Sequence, residues 1–241
     1  MMERVKTNIY GLDAMLYGGI PKQSQLIITG GPGTGKTLLS FEYIYKGAEL
    51  GEVGVFLTFD EDPERVLQNV RATFPNLDKL DQLISEKKII ITGNDMLNHI
   101  REQNEPSNYQ FGKLVSEMEY LVSTSGAKRI AIDSISILEM LVNDNNAYRK
   151  SLLALTTNLR RLGLTSFVTS EANTLEKEGL KFKEEYFIFD GILSMYQKGE
   201  EEKRVLQMEI IKIRGSKHSF VTAPYEITES GFRFVSVEQL A

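Results

Sequence analysis

The eight residues Gly30-Gly-Pro-Gly-Thr-Gly-Lys-Thr37 constrain this chain more than any other stretch. They fit the pattern G-x-x-x-x-G-K-[ST], and the flanks give the match its meaning. Leu26–Thr29 is a short apolar, β-branched run of the kind that forms a buried strand. Beyond the loop, Leu38, Leu39, Phe41, Ile44 and Tyr45 recur near helical spacing. Strand, glycine loop and helix therefore follow in the order an anion cradle needs. Gly30, Gly31, Gly33 and Gly35 free the backbone to turn its N–H groups inward. The helix N-terminus adds partial positive charge. At average residue usage a chance match somewhere in the chain is on the order of 1%, so an accidental glycine-rich turn is set aside.

The residues expected to bind ATP are accordingly Gly31, Pro32, Gly33, Thr34, Gly35, Lys36, Thr37 and Leu38. Lys36 is expected to reach the β- and γ-phosphates and the Thr37 hydroxyl to bind Mg²⁺. Hydrolysis needs more: a carboxylate that organises the metal and a group that orients water. Arg129-Ile-Ala-Ile-Asp133-Ser134 is an apolar strand ending in an acid. Parallel strands read as apolar runs and present ligands at their carboxyl ends, which gives Asp133 a metal-shell role through water. A strand-end Asp that merely caps the next helix is the plainer alternative. Gly54–Phe59 is a further apolar run ending in Asp60, Glu61 and Asp62 before Pro63. Asp62 suits helix capping, whereas Glu61 or Asp60 could orient the attacking water, with Glu61 preferred. Leu164–Thr169 is a fourth buried strand, whose end offers Thr169 or Ser170 as a γ-phosphate sensor or as structural hydroxyls.

Composition removes several other chemistries. The 241 residues contain no cysteine, which excludes a disulfide framework, thiol catalysis and thiolate metal sites. Only His99 and His218 are available, too few for a His-rich zinc site. A formal net charge of −5 argues against a broad phosphate-binding surface. No apolar run approaches the roughly 18 residues of a membrane span. Met1–Tyr10 lacks the apolar core of a secretion signal, so a cytoplasmic location is expected.

Taken together, these segments resemble the KaiC-like branch of the RecA superfamily of ATPases. Gly11-Leu-Asp13 with Gly18-Gly-Ile-Pro21 is similar to that family's motif before the first core strand. Thr58-Phe-Asp60-Glu61-Asp62-Pro63 resembles its paired-carboxylate segment, and Arg129–Ser134 its Walker B element. Ile211-Lys212-Ile213-Arg214-Gly215-Ser216-Lys217-His218 resembles its late Lys-x-Arg-Gly motif. The likeness extends from about Lys6 to Val235 as one RecA-type domain with a single glycine loop. It implies a ring, usually homohexameric, with ATP at subunit junctions. Lys212, Ile213 and Arg214 would meet the neighbour's nucleotide in trans, the two cations as arginine-finger-like groups. Ser216, His218, Thr228 and Glu229 fall where the family's neighbour touches the nucleoside. The plainer reading of Lys212 and Arg214, alternating along a strand, is a solvated face. The sequence departs from the pattern at Asp60, where the family has Glu, and this favours Glu61 as the water-orienting acid. It also lacks the adjacent Ser–Thr pair of the clock-type members: the aligned stretch is Glu184-Glu-Tyr186-Phe187-Ile-Phe-Asp190. That absence argues against a phosphorylation clock.

The expected fold class is α/β: a mostly parallel sheet with helices on both faces and antiparallel strands at its C-terminal edge. Core elements are expected at 25–29, 36–50, 53–59, 63–73, 88–92, 110–125, 129–133, 147–162 and 164–169. Arg204–His218 reads as two strands crossing a basic tip. Glu102–Asn108 and residues 171–186 are polar stretches, the second of the kind that lines the ring's centre in the family. The leading function is an ATPase coupled to ring assembly or to a regulatory partner. The main alternative is a RecA- or RadA-type DNA recombination mediator. Residues 172–185 carry Lys177, Lys181 and Lys183 against four glutamates, a poor phosphate funnel, so nucleic-acid binding is disfavoured. A small-molecule kinase would need a basic acceptor cluster that does not stand out. A nucleotide-gated assembly protein without turnover is the remaining possibility.

Overall fold

The computed structural model describes residues 3–93, 107–136, 139, 144–172, 177, 182–199 and 204–235. Residues 4 and 5 (β1, Arg4–Val5) pair antiparallel with β2 (Ile20–Pro21), flanking the short helix α1 (Leu12–Met15). The main sheet then begins with β3 (Gln25–Gly30) and continues through β4 (Gly54–Thr58), β5 (Ile89–Thr92), β6 (Arg129–Asp133), β7 (Thr165–Glu171) and β8 (Gly191–Lys198). Three further strands, β9 (Val205–Ile213), β10 (Ala223–Thr228) and β11 (Gly231–Phe234), complete it. Strand order is β11-β10-β9-β8-β3-β7-β6-β4-β5. Pairings from β8 through β5 are parallel, and those joining β8, β9, β10 and β11 are antiparallel. This is the expected RecA-type α/β fold.

Alternation along the parallel strands explains why they are apolar throughout. Successive side chains point to opposite faces. Leu26 and Ile28 enter a core with Phe56, Ala131, Phe167 and Leu193, beneath α2 (Lys36–Glu49), α3 (Pro63–Thr73) and α4 (Leu80–Ser85). Ile27 enters the opposite core with Val55, Leu57, Ile130, Ile132, Val168 and Ile192. That face is covered by α5 (Ser107–Ser125) and α6 (Asn145–Arg161). With both faces covered, polar groups of the strands collect at the strand ends.

Several boundaries differ from the sequence reading. The segment Arg204–His218 holds one strand, β9, and residues 214–222 are irregular, so the expected second strand is absent. The β9 chain leaves the sheet because Arg214-Gly-Ser turns rather than pairs. β7 runs two residues further, to Glu171. Asp62 occupies the N-cap of α3, but its side chain makes no capping hydrogen bond. The helix start rests instead on Pro63 in its first turn, where a missing N–H costs nothing. His99, Lys181, Glu176, Glu178 and much of the two polar stretches lie outside the described residues.

Long-range polar contacts lock the N-terminal segment and the edge. The Asp13 carboxylate accepts from the Thr7 amide and hydroxyl at 2.9 Å each and from the Asn8 amide at 3.1 Å. Tyr10 bridges to Arg233 of β11 in parallel register, and its carbonyl accepts from the Phe234 amide at 3.0 Å. At the start of β6 the Arg129 guanidinium, 1% exposed, donates to Glu52 at 2.5 Å, the Tyr43 carbonyl at 3.2 Å and the Lys6 carbonyl at 2.8 Å. It also lies 4.7 Å from the Tyr43 ring centre. A buried charge of this kind is tolerated because its donors are satisfied.

Glu42, on α2, is 1% exposed and accepts from the Phe232 amide at 2.7 Å. Burial raises its carboxyl from 4.5 to about 7, against the opposing effects of that amide and of Lys46. Between those values the folded chain keeps a proton that the unfolded chain has lost. Stability therefore falls as pH rises through this window, and the full penalty, on the order of 3 kcal/mol, applies above it. Glu42→Gln is expected to be more stable than the parent near pH 8. The advantage should vanish below about pH 4.5, as read by urea unfolding at both pH values.

Candidate functional site

The carboxyl ends of β3, β4, β6 and β7 meet beside the N-terminus of α2. There they enclose an open cavity of about 480 Å³. Its walls include Pro32, Gly33, Gly35, Lys36, Thr37 and Leu38 from the glycine loop, and Asp60, Glu61, Asp133, Ser134 and Glu171 from the strand ends. Asn69, Ala72 and Thr73 of α3 complete it.

Two glycines of the loop are dictated by geometry. A Cβ on Gly30 would stand 2.3 Å from the Met195 carbonyl oxygen of β8, a distance no side chain adopts. Gly35, with φ +87°, occupies the left-handed region, and a Cβ there would meet Ile227 and Phe232 at 2.9 Å. The loop is held open by its own side chains. Thr34 donates to the Gly31 carbonyl at 2.9 Å, and the Lys36 ammonium donates to the same carbonyl at 3.0 Å. Lys36 is only 8% exposed; burial lowers its pKa, while the charges of Glu171, Asp133 and Asp60 oppose the shift.

Thr37 donates to Asp133 Oδ2 at 2.7 Å. The hydroxyl of Thr169 donates to Asp133 Oδ1. Burial raises the Asp133 carboxyl above the usual range; the two hydroxyls pull it back, the Asp60 charge adds to the rise and Lys36 opposes it. The Asp133–Ser134 peptide is cis. Ser134 donates to Asp60 Oδ2 at 2.6 Å, and Asn69 donates to Glu61 Oε2 at 3.2 Å. Asp133, Asp60 and Glu61 thus each have an identified partner that fixes their direction.

The structure brings the glycine loop, Asp60, Glu61 and Asp133 into one cavity, and Thr169 reaches it through Asp133. Ser170 does not; its hydroxyl pairs with the buried Tyr186 hydroxyl at 2.8 Å. Glu171 was missed in the sequence reading. Its signal was available, because it ends the strand that also carries Thr169. None of Lys212, Ile213, Arg214, Ser216, His218, Thr228 and Glu229 lines this cavity. Lys212 and Arg214 both donate to the Phe187 carbonyl, at 3.2 and 2.7 Å. Burial, then the Arg214 charge, lowers the Lys212 pKa. Ile213 is buried, and His218 is 7% exposed with its ring 4.7 Å from that of Phe220. Ser216 accepts from Arg4 at 2.6 Å. Thr228 donates to the Gly231 carbonyl at 2.8 Å, and Glu229 accepts from Asn76. The predicted trans residues therefore form two groups: the run after β9 and the β10–β11 turn.

Sheet order and a glycine loop between β3 and α2 define a P-loop protein of the RecA type. The family model describing the KaiC ATPase matches residues 5–239, and the chain belongs to that family. It is 33% identical to the circadian clock protein KaiC2 of Synechocystis sp. over 237 residues, covering 97% of this chain and 40% of that protein. It is 31% identical to a UPF0273 protein of Aeropyrum pernix over 237 residues, covering 96% and 93% respectively. The crystal structure of a KaiC-like protein from Pyrococcus horikoshii OT3 superposes with a TM-score of 0.77 at 30% identity, covering 98% of this chain and 100% of that one. The chain spans about two fifths of the length of the clock proteins it matches. No described helix is long and apolar enough to cross a membrane.

The close approach at Gly30 makes a direct prediction. Gly30→Ala must push β8 away from the loop, and overpacking of this kind costs about 1–3 kcal/mol. A lowered thermal midpoint without any ligand is expected; an unchanged midpoint would refute the packing described.

Proposed function

We propose that this chain binds ATP with Mg²⁺ at residues 31–38 and hydrolyses it at a junction between two copies of itself, within a homohexameric ring. The observation that carries the reading is the convergence of Lys36, the Thr37–Asp133 pair and three further carboxylates in one cavity beside a helix N-terminus. Exposed N–H groups and the α2 dipole favour a polyphosphate there. The hydroxyl–carboxylate pair is a hard oxygen donor set of the kind Mg²⁺ prefers. Mg²⁺ bound there would neutralise charge on the β- and γ-phosphates.

Each residue then has a role set by its position. Lys36, already aimed along the loop, would turn from the Gly31 carbonyl to a phosphate oxygen. Thr37 and Asp133 would hold the metal, Asp133 through water. Glu61, or Asp60 beside it, would accept a proton from the attacking water. The cavity's own protomer provides Lys36 but none of Lys212 and Arg214, which supports their acting on the neighbour's nucleotide. Thr228, Glu229, Ser216 and His218 would flank the nucleoside across the same junction, with Ile213 as their buried anchor.

Lys36→Ala is expected to lose Mg-ATP binding, measured by equilibrium titration. Glu61→Gln should keep binding while phosphate release falls on the order of 100-fold. Were Asp60→Asn to produce that loss instead, the water-orienting role would pass to Asp60. Light scattering with and without Mg-ATP tests the ring. Full turnover by Lys36→Ala would end the proposal.

A further inference from the structure

The β10–β11 hairpin, at the far edge of the sheet by strand order, returns over α2 and packs against the glycine loop. Tyr225, 3% exposed, donates its hydroxyl to the Thr34 carbonyl at 2.6 Å. Thr34 in turn donates to Gly31, and Gly31 also receives Lys36. One tyrosine hydroxyl thus holds the backbone of Thr34, the residue whose side chain bonds back across the loop to the Gly31 carbonyl. Ile227 and Phe232 fill the space at Gly35 where a side chain would stand. The Phe232 amide bonds to Glu42, about two helical turns further along α2. The rings of Tyr225, Phe232 and Phe234 lie 5.3–6.1 Å apart by centroid, making the hairpin's inner face a rigid slab.

The turn at the end of this hairpin carries Thr228 and Glu229. It is tied to its own protomer by the Asn76 amide, which donates to the Glu229 carbonyl at 3.2 Å. The loop therefore packs along the inner face of the hairpin, whose Ile227–Phe232 pair directly adjoins the turn.

We propose that Tyr225 is a positioning residue for the glycine loop, and that through it the β10–β11 hairpin couples nucleotide in one protomer's loop to the placement of Thr228 and Glu229 toward the next protomer. The coupling rests on the function proposed above, since it needs nucleotide in the loop and a neighbour at the turn. Ligand that tightens the loop amides fixes the Thr34 carbonyl, strengthens the bond from Tyr225 and holds the hairpin closed. Adjacent sites in an assembly then communicate through an element that touches no phosphate.

Amide hydrogen exchange of the full chain, with and without Mg²⁺ and a non-hydrolysable ATP analogue, tests this. Protection is expected both in residues 31–38 and in residues 225–234, the latter slowed on the order of 10-fold, a size typical of intramolecular coupling. Tyr225→Phe keeps the ring and removes only the hydroxyl. It should retain protection of the loop while the hairpin's response to nucleotide is lost. A purely structural tyrosine would lower stability equally with and without nucleotide and leave that response intact. No protection of residues 31–38 means that the nucleotide site itself is wrong. Loop protection in the parent with unchanged exchange across 225–234 overturns the coupling alone, and this reading requires no variant to fold.

Discussion

The approach of the Met195 carbonyl to Gly30 fixes where the chain leaves the sheet, and most of the site follows from it. Because no side chain fits between β8 and the end of β3, the backbone can turn at once into the loop. α2 then starts directly over the strand ends with its first amides unpaired by helix geometry. Its apolar side is buried among Leu26, Phe56 and Phe167, so the helix cannot shift along its axis without opening the core. A loop placed by packing of this sort is available for binding without first being ordered.

Electrostatics in the cavity are set by burial and by short contacts together. Four carboxylates and one ammonium face the same space. Asp133 would be costly to ionise alone, yet two hydroxyls donate to it and Lys36 lies within its field. The arrangement leaves a surplus of negative charge that a divalent cation would offset. Lys212 and Arg214 lie outside this cavity, where both donate to the Phe187 carbonyl.

Sequence patterns disclosed the parallel half of the sheet well, because each βα unit is local. Leu26–Thr29, the glycine loop and the helical spacing after it lie within two dozen residues, and the structure repeats them almost to the residue. The acids at positions 60, 61 and 133 were legible for the same reason: each ends an apolar run. What escaped notice depends on partners far apart in the chain. Tyr225 meets Thr34 across 191 positions, and Phe232 meets Glu42 across 190. Arg129 opens the run that forms β6, and its guanidinium is buried against Tyr43, Glu52 and Lys6, partners that no local pattern announces. Arg204–His218 is not a strand pair because the chain after Arg214-Gly-Ser stays irregular through residue 222 and rejoins the ladder of β9 only at Ala223. Neither period nor propensity reports such pairings.

The bridge from Tyr10 to β11 has a consequence beyond anchoring the N-terminal segment. An outermost strand offers unpaired amides and carbonyls on which a foreign strand can grow. Here the Tyr10 carbonyl already receives the Phe234 amide, and Arg233 lies 5.0 Å from the Tyr10 ring centre. The β11 margin of the sheet is thus met by a short irregular piece that cannot itself extend the ladder. At the β11 edge, growth by an added strand is thereby disfavoured.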